Sequence, residues 1–262
     1  MRRLTGYLSL AWPLAKRDVM ARYRGSAAGV LWALLAPLGM VAIYALVFQG
    51  VFQARWNGAG VSAGGLDYAA RLFAGLMVFS AVSDVAGRAT RLMQDNANLV
   101  KRVVFPLELL CVALVMQVAV HTALQMLVLA GLLLVAGHAV SWSWLWLLVA
   151  WPWILLLQMA LAIGLAALGC YLRDLQHIVP LAISGLLFLS PVFYPTNSAP
   201  KPLAALLMLN PMTGPIEMLR SAWFGTAYAW ADAALPLAAT ALALWLSHRL
   251  FVRLRPGFAD LV

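Results

Sequence analysis

The stretch LELLCVALVMQVAVHTALQMLVLAGLLLV, residues 107–135, decides the fold of this chain. Apart from Glu108 it carries no charged residue. It is far longer than the ~10-residue segments of a membrane β-barrel, and its apolar residues do not alternate with a period of two. Only a helix satisfies its own backbone hydrogen bonds in lipid. The stretch therefore predicts a membrane-spanning α-helix.

The composition of the whole chain agrees with a membrane protein. Of its 262 residues, 64% are hydrophobic and 10% are charged, whereas ordinary globular domains carry about 25% charged residues. The net charge of +9 does not predict a nucleic-acid partner, because the cations flank apolar runs and form no contiguous basic face. We expect an all-α integral membrane protein in contact with lipid.

Further apolar runs predict six membrane spans, with an N-terminal helix on the cytoplasmic surface. In residues 1–25, Tyr7 and Trp12 recur with other apolar residues at helical spacing, opposite Arg3 and Arg17. This pattern is typical of an interfacial amphipathic helix, and a solvated basic tail is the alternative. The spans are expected at about 26–52, 68–87, 107–135, 144–172, 178–194 and 231–252, followed by a cytoplasmic tail at 253–262.

The distribution of charge decides the topology of residues 196–229, which are apolar but divided by prolines and glycines. With six spans and both termini inside, 14 of the 18 Lys and Arg residues lie on the inner side, as the positive-inside rule requires. A seventh span would move three C-terminal arginines outside. The segment is better explained as a re-entrant hairpin that enters and leaves from the outer face, which is tolerated where protein or water surrounds the backbone.

The loop NANLVKRVVFPL, residues 96–107, mixes two cations with Leu, Val and Phe. It predicts a short amphipathic helix at 96–105, ended by Pro106, on the cytoplasmic face. A helix that contacts only lipid headgroups is the alternative to one that binds a soluble partner. The sequence contains no Gly-rich phosphate loop, so we expect no cofactor in this chain and any ATP to be bound by another chain.

Five strings, in one order along the chain, resemble the membrane subunit of ATP-binding-cassette exporters for lipid-linked polysaccharides such as O-antigen, capsule and teichoic acid. The strings are RDVMARYRGSAAGVLWALLAPL at 17–38, NANLVKRVVFPLELL at 96–110, YLRDLQHIVP at 171–180, LSPVFYP at 189–195 and LNPMTGPIEMLRSAWFG at 209–225.

This resemblance implies a non-catalytic permease of the bacterial inner membrane. The permease would form a homodimer and bind two copies of a nucleotide-binding subunit that holds Mg-ATP. The substrate would be a lipid-linked polysaccharide.

The resemblance also assigns roles to residues. The loop becomes a coupling helix, in which Val100, Val103 and Val104 would fill a groove on the ATPase while Lys101 and Arg102 pair with acidic residues. The expected coupling residues are Asn98, Leu99, Val100, Lys101, Arg102, Val103 and Phe105. The expected outer gate residues, on the hairpin, are Leu206, Leu209, Pro211, Glu217 and Arg220.

Residues of a substrate pathway are expected within the spans. Arg71 is an ionisable residue inside a span and hence a functional candidate, with snorkelling to the headgroups as the alternative. Aromatic side chains that stack on sugars are further candidates, although packing or lipid contact explains each equally well. They are Trp32, Tyr44, Phe48, Phe188, Phe193 and Tyr194.

Two other functions remain open at this stage. A membrane acyl- or glycosyltransferase needs a carboxylate or His pair at one depth, but the nine acids are dispersed, and the four histidines show no metal-ligand spacing. We therefore expect no catalytic residue and no metal site. An exporter of the same architecture for a small lipid or drug is the second alternative.

Overall fold

A computed structural model describes residues 2–23, 29–47, 65–101, 105–196, 200–226, 228 and 230–262. The α-helices are α1 Arg2–Tyr23, α2 Trp32–Ala45, α3 Gly65–Ala89, α4 Leu92–Asp95, α5 Ala97–Val100, α6 Glu108–Val135, α7 Leu147–Tyr171, α8 Leu175–Phe188, α9 Lys201–Leu209, α10 Thr213–Phe224, α11 Trp230–Leu254 and α12 Phe258–Leu261. Short 3-10 turns lie at Gly29–Leu31, Trp142–Trp146 and Arg255–Gly257. Every regular element in these ranges is helical, as the sequence predicted.

Four helical segments among the described residues are long and apolar enough to cross a membrane. They are Leu66–Ala89, Glu108–Val135, Trp142–Tyr171 and Ala231–Leu261. Their bounds agree with the second, third, fourth and sixth predicted spans to within a few residues, except that the last helix continues further. Of the first predicted span, 26–52, only residues 29–47 are described, and Phe48 lies outside the described residues.

The helix at the fifth predicted span is shorter than expected. The helix of the expected span 178–194 ends at Phe188, and residues 189–195 form turns. The cause is local, because Pro191 has no N–H to donate and its ring clashes with the carbonyl of residue 187 in a helix. The Ser190 hydroxyl donates to the carbonyl of Leu186 at 2.6 Å.

Helices α7 and α11 run parallel along each other. The indole Nε1 of Trp153 donates to Thr240 Oγ1 at 3.1 Å in the middle of the pair. The hydroxyl of Tyr171 donates to the carbonyl of Leu254 at 2.9 Å where both helices end. Parallel neighbours require the chain between them to return to the starting end, which is what α8 does.

Contacts between helix termini define two ends of the bundle. The first end, called the hairpin end, is where α3 begins and α6 ends, and there His138 Nε2 lies 2.7 Å from Asp67 Oδ1. Helices α9 and α10 are placed at this end by the Ser143 hydroxyl, which donates to the carbonyl of Ala222 at 2.8 Å. The opposite end, called the basic end, is where α6 begins and α11 ends, and there Arg255 Nη1 lies 3.2 Å from Glu108 Oε1. Helices α3, α6, α7, α8 and α11 therefore run between these two ends, and the hairpin lies at one of them.

Each end has its own apolar core. The core at the hairpin end contains Met77, Trp153 and Ile216, and the core at the basic end contains Met93 and Phe251. Helices α3, α6, α7 and α11 contribute side chains to both cores. These four long helices thus connect the two ends.

Helix α1 packs against α6, as a surface helix lying on the bundle would. Ala11 and Ala15 are fully buried, whereas Trp12 on the adjacent face is half exposed. The exposed Trp12 agrees with an interfacial position, since Trp is enriched at membrane–water boundaries.

The closest backbone contact at the basic end depends on Gly169 of α7. A Cβ atom added there would overlap the carbonyl oxygen of Thr90, just beyond α3. By contrast, a Cβ atom added at Gly131 of α6 would meet no atom within 4 Å.

We predict that Gly169→Ala destabilises the protein by ~1–3 kcal/mol, because an extra methyl group in a tight contact forces backbone shifts. Gly131→Ala is the matched control and should be neutral or slightly stabilising, because Ala is favoured over Gly within a helix. Thermal unfolding in detergent measures both. Equal midpoints for the two variants would show that the contact is not tight.

Candidate functional site

The coupling segment, residues 96–105, is only partly helical. Helix α5 ends at Val100, and Phe105 and Pro106 are not helical, although the sequence predicted a helix to residue 105. A residue before proline is disfavoured in helical conformation, which accounts for Phe105. Arg102, Val103 and Val104 lie outside the described residues.

The side chains of this segment divide between the protein interior and the surface. Val100 is buried in the core of the basic end, and Leu99 and Phe105 pack partly against the same core. Asn98 and Lys101 are exposed. The expectation that Val100 fills a groove on a partner is therefore wrong, because this side chain anchors the segment to its own chain.

The coupling segment is supported by the turn that precedes it and by α7. The side-chain amide of Gln94 donates to the carbonyl of Gly169 at 3.2 Å, beside the point where the missing side chain of Gly169 lets the backbone of Thr90 approach. The amide of Asn96 donates back to the carbonyl of Leu92, the first residue of α4, at 2.8 Å. Displacement of α4 and α5 is thereby linked to α7.

The C-terminal residues also support this segment, which the sequence analysis missed. Phe258 of α12 is fully buried, with its ring edge-on to Phe251 at 5.2 Å and to Tyr171 at 6.2 Å. Helix α12 contacts α5 directly. In the sequence, the Pro256–Gly257 pair is typical of a turn that ends a helix. A single Phe after this pair does not form a recognisable helical pattern.

A polar cleft of about 520 Å³ adjoins the coupling segment. Arg17 and Asp18 of α1 line one side, and Arg88 of α3 lies opposite. Arg88 Nη2 donates to Gln117 Oε1 of α6 at 2.6 Å. The cleft therefore brings the N-terminal helix, the start of the coupling loop and α6 together at one polar surface.

At the other end of the bundle, Arg220 locks the hairpin in place. This residue is buried, and its Nε donates to the carbonyl of Arg71 at 3.1 Å. Its Nη2 donates to the carbonyl of Val192 at 2.7 Å, and its Nη1 donates to the carbonyl of Pro191. One guanidinium thus joins α10, α3 and the turn after α8.

Glu217 forms an ion pair with Arg220. Its Oε1 lies 3.3 Å from Arg220 Nη1. The arrangement is that of a structural ion pair, since the remaining donors of Arg220 point at backbone carbonyls. Gly75 makes room for it, because a Cβ atom there would lie 2.5 Å from Arg220 Nη2.

Arg71 lies beside this lock and is held within the chain. Its Nε is 3.2 Å from Asp67 Oδ2, and its guanidinium carbon lies 4.0 Å from the centre of the Phe224 ring. Cation–π contacts of this kind add to the attraction of the ion pair. Arg71 therefore ties α3 to the end of α10, and its contact with substrate stays a prediction.

The break between α9 and α10 is stabilised by Asn210. Its side-chain amide donates to the carbonyl of Leu189 at 2.8 Å and lies 2.7 Å from Ser190 Oγ, while its Oδ1 accepts from the backbone N–H of Met212 at 2.9 Å. Of the expected gate residues, Leu206, Leu209 and Pro211 are exposed. Helix α10 is thus anchored to the bundle, whereas α9 has apolar side chains on its surface.

The expected pathway aromatics do not form one group among the described residues. Phe188, Phe193 and Tyr194 lie together, since the Tyr194 hydroxyl donates to the carbonyl of Phe188 at 2.7 Å and the two Phe rings are 6.2 Å apart. Trp32 is half exposed on α2. Phe48 and the side chain of Tyr44 are outside the described part.

Comparison with known proteins identifies the family. The sequence matches the ABC-2 type transporter family over residues 10–224, which covers α2 to α10 and the two sites described above. The chain belongs to this family.

Curated relatives of this ABC-2 type transporter include polysaccharide permeases. The O-antigen export system permease protein RfbA of Myxococcus xanthus is 29% identical over 99% of this chain and 98% of its own length. RfbA of Klebsiella pneumoniae is 24% identical over 80% of this chain and 79% of its own. The polysialic acid transport protein KpsM of Escherichia coli is 21% identical over 79% and 78%, respectively. The family expected from the sequence is confirmed.

The Arg220 lock yields a prediction for this transporter. Arg220→Gln should destabilise it by ~3–5 kcal/mol, because one partner of a buried charged network is removed. Gly75→Ala should cost ~1–3 kcal/mol by crowding the guanidinium. The double variant should lose less stability than the sum of the two single losses, by more than ~0.5 kcal/mol, since both substitutions act on the same contact.

Thermal unfolding in detergent measures this cycle. Gly87→Ala is the matched control on the same helix, because a Cβ atom there would meet nothing within 4 Å. Strictly additive costs for Gly75→Ala and Arg220→Gln would show that the two residues act independently.

Proposed function

We propose that this chain is the permease subunit of an ATP-driven exporter of lipid-linked polysaccharide, of the O-antigen or capsule type. The observation that carries the proposal is the similarity to an O-antigen export permease over 99% of this chain and 98% of the relative. The alignment covers nearly the whole of both sequences. The chain would act in the bacterial inner membrane with both termini in the cytoplasm.

We propose six spans, to which α2 and α8 contribute the two shorter ones. The parallel pair α7 and α11 supports this topology, because one crossing by α8 returns the chain to the hairpin end. Helices α9 and α10 then stay at that end, since Arg220 joins α10 to the turn after α8. Exposed cations at the basic end, such as Lys101 and Arg173, favour a cytoplasmic position for it.

The proposed partners are a second copy of the chain and two nucleotide-binding subunits that carry Mg-ATP. The coupling segment supports the ATPase partner, because it exposes Asn98 and Lys101 while Val100 fixes it to the bundle. The apolar side chains Leu35 and Ile43 on α2 and Leu181 on α8 are exposed in the single chain. In the proposed dimer these faces are covered by the second copy or by lipid.

The mechanism follows from the contacts at the basic end. Closure of the ATPase pair would push on α5, and the Gln94–Gly169 hydrogen bond would pass the movement to α7. The cleft beside α1 is the proposed region of lateral entry for the lipid carrier. In this proposal the chain's own part in transport is mechanical, and ATP is hydrolysed by the partner subunits.

Deletion of the gene tests the proposed substrate. We predict that the deleted strain loses its surface polysaccharide and accumulates lipid-linked chains in the cytoplasm, because synthesis continues without export. Electrophoresis of surface and intracellular glycans measures both. Complementation with the intact gene is the control, and an unchanged surface polysaccharide in the deleted strain would contradict the proposal.

Charge reversal at Lys101 tests the proposed coupling contact. Lys101→Glu should weaken binding of the ATPase subunit by about fivefold, since an exposed ion pair contributes up to ~1 kcal/mol, and should reduce the ATPase activity of the complex. Arg173→Glu is the control, with the same charge change on another exposed turn at the basic end. Equal binding by Lys101→Glu and the parent chain, measured with purified components, would overturn the assignment.

A further inference from the structure

A groove of about 470 Å³ runs between α7 and α11 in the half of these helices nearer the basic end. Leu161 and Leu165 line it from α7, and Leu246 and Leu250 line it from α11. Its volume lies within the ~300–1,000 Å³ range of small-ligand sites. The groove plays no part in the coupling segment or in the hairpin lock.

Small side chains at the helix contact form the floor of the groove. A Cβ atom on Gly164 would lie 2.8 Å from Ser247 Oγ, so the two helices approach closely here. The leucines on both sides stand above this contact, and the depression between them is apolar. An apolar depression on the outside of a membrane helix pair is suited to a hydrocarbon chain.

Two arginines, Arg249 and Arg253, line the groove from α11, one helical turn apart. Both are exposed, and the guanidinium carbon of Arg249 lies 4.8 Å from the centre of the exposed Trp245 ring. Within the part of the chain that the structure describes, neither guanidinium forms an ion pair with a carboxylate. Two positive charges thus remain available to one anion.

We propose that this groove binds an anionic phospholipid of the inner leaflet. The phosphodiester would sit between Arg249 and Arg253, and one acyl chain would lie along the leucines. Basic pockets between helices at the cytoplasmic side are suited to such headgroups, and Trp245 suits the boundary between headgroups and hydrocarbon. The proposal rests on the orientation given under the proposed function, which places the basic end in the cytoplasm.

A polyprenyl phosphate carrier has the same chemistry, a phosphate on a long apolar chain. We assign the groove to membrane phospholipid because the face of α11 beside it is apolar and exposed at Leu242, Trp245 and Leu246. A lipid of the bulk bilayer reaches this face without entering the protein. The lipid would join α7 to α11 from outside, beyond the Trp153–Thr240 hydrogen bond.

The test uses the full-length permease with its ATPase partner in nanodiscs of phosphatidylcholine, with or without phosphatidylglycerol. We expect phosphatidylglycerol to raise the unfolding midpoint and to remain bound as a defined adduct in native mass spectrometry. The double variant Arg249→Gln, Arg253→Gln should bind it roughly tenfold more weakly, since each cation near the headgroups adds to the attraction. Both substitutions are at exposed positions, so the fold should be retained.

Arg173→Gln removes one exposed charge beyond the end of α7, outside the groove, and should bind like the parent chain. Equal retention of phosphatidylglycerol by the double variant, or equal loss with Arg173→Gln, would overturn the site. Stronger retention of an added polyprenyl phosphate than of phosphatidylglycerol would overturn the choice of lipid. None of these measurements needs glycan or ATP, so their outcome is separate from that of the export assay.

Discussion

The hairpin end depends on one requirement, which is that backbone carbonyls freed by a broken helix must find donors. Helix α8 ends at Phe188, and the carbonyls of Pro191 and Val192 then lie away from any helical partner. In apolar surroundings an unpaired carbonyl costs several kcal/mol. Arg220 supplies donors to both and also reaches the carbonyl of Arg71. A single side chain therefore allows an irregular backbone to exist beside α3.

The two ends of the molecule are built in contrasting ways. At the hairpin end, polar contacts of Arg220 and Asn210 stabilise the turns of the chain. At the basic end, close packing dominates, with Gly169 against the Thr90 backbone and Phe258 within the core. Because α3, α6, α7 and α11 belong to both cores, the two ends are connected by continuous helices and not by loops.

The sequence predicted what depends on local length and hydrophobicity. The helices α3, α6, α7 and α11 were found because a long apolar run has few alternatives. The contacts of Gly75 and Gly169 could not be predicted, because each is decided by a residue distant in the chain. The orientation of Val100 was misjudged for a related reason, since an apolar side chain in a loop has the same pattern whether it faces a partner or its own core.

The parallel pairing of α7 and α11 has a consequence for biosynthesis. Its two hydrogen bonds join residues that lie 83 and 87 positions apart in the sequence. Helix α7 therefore enters the bilayer long before its neighbour has been translated. Until then the indole of Trp153 lacks its acceptor and the face around Gly164 is covered only by lipid. The docking of α12 under the coupling segment comes later still. The surface proposed to receive the ATPase is thus completed only after α12 has left the ribosome, and a product truncated before Phe258 would lack it.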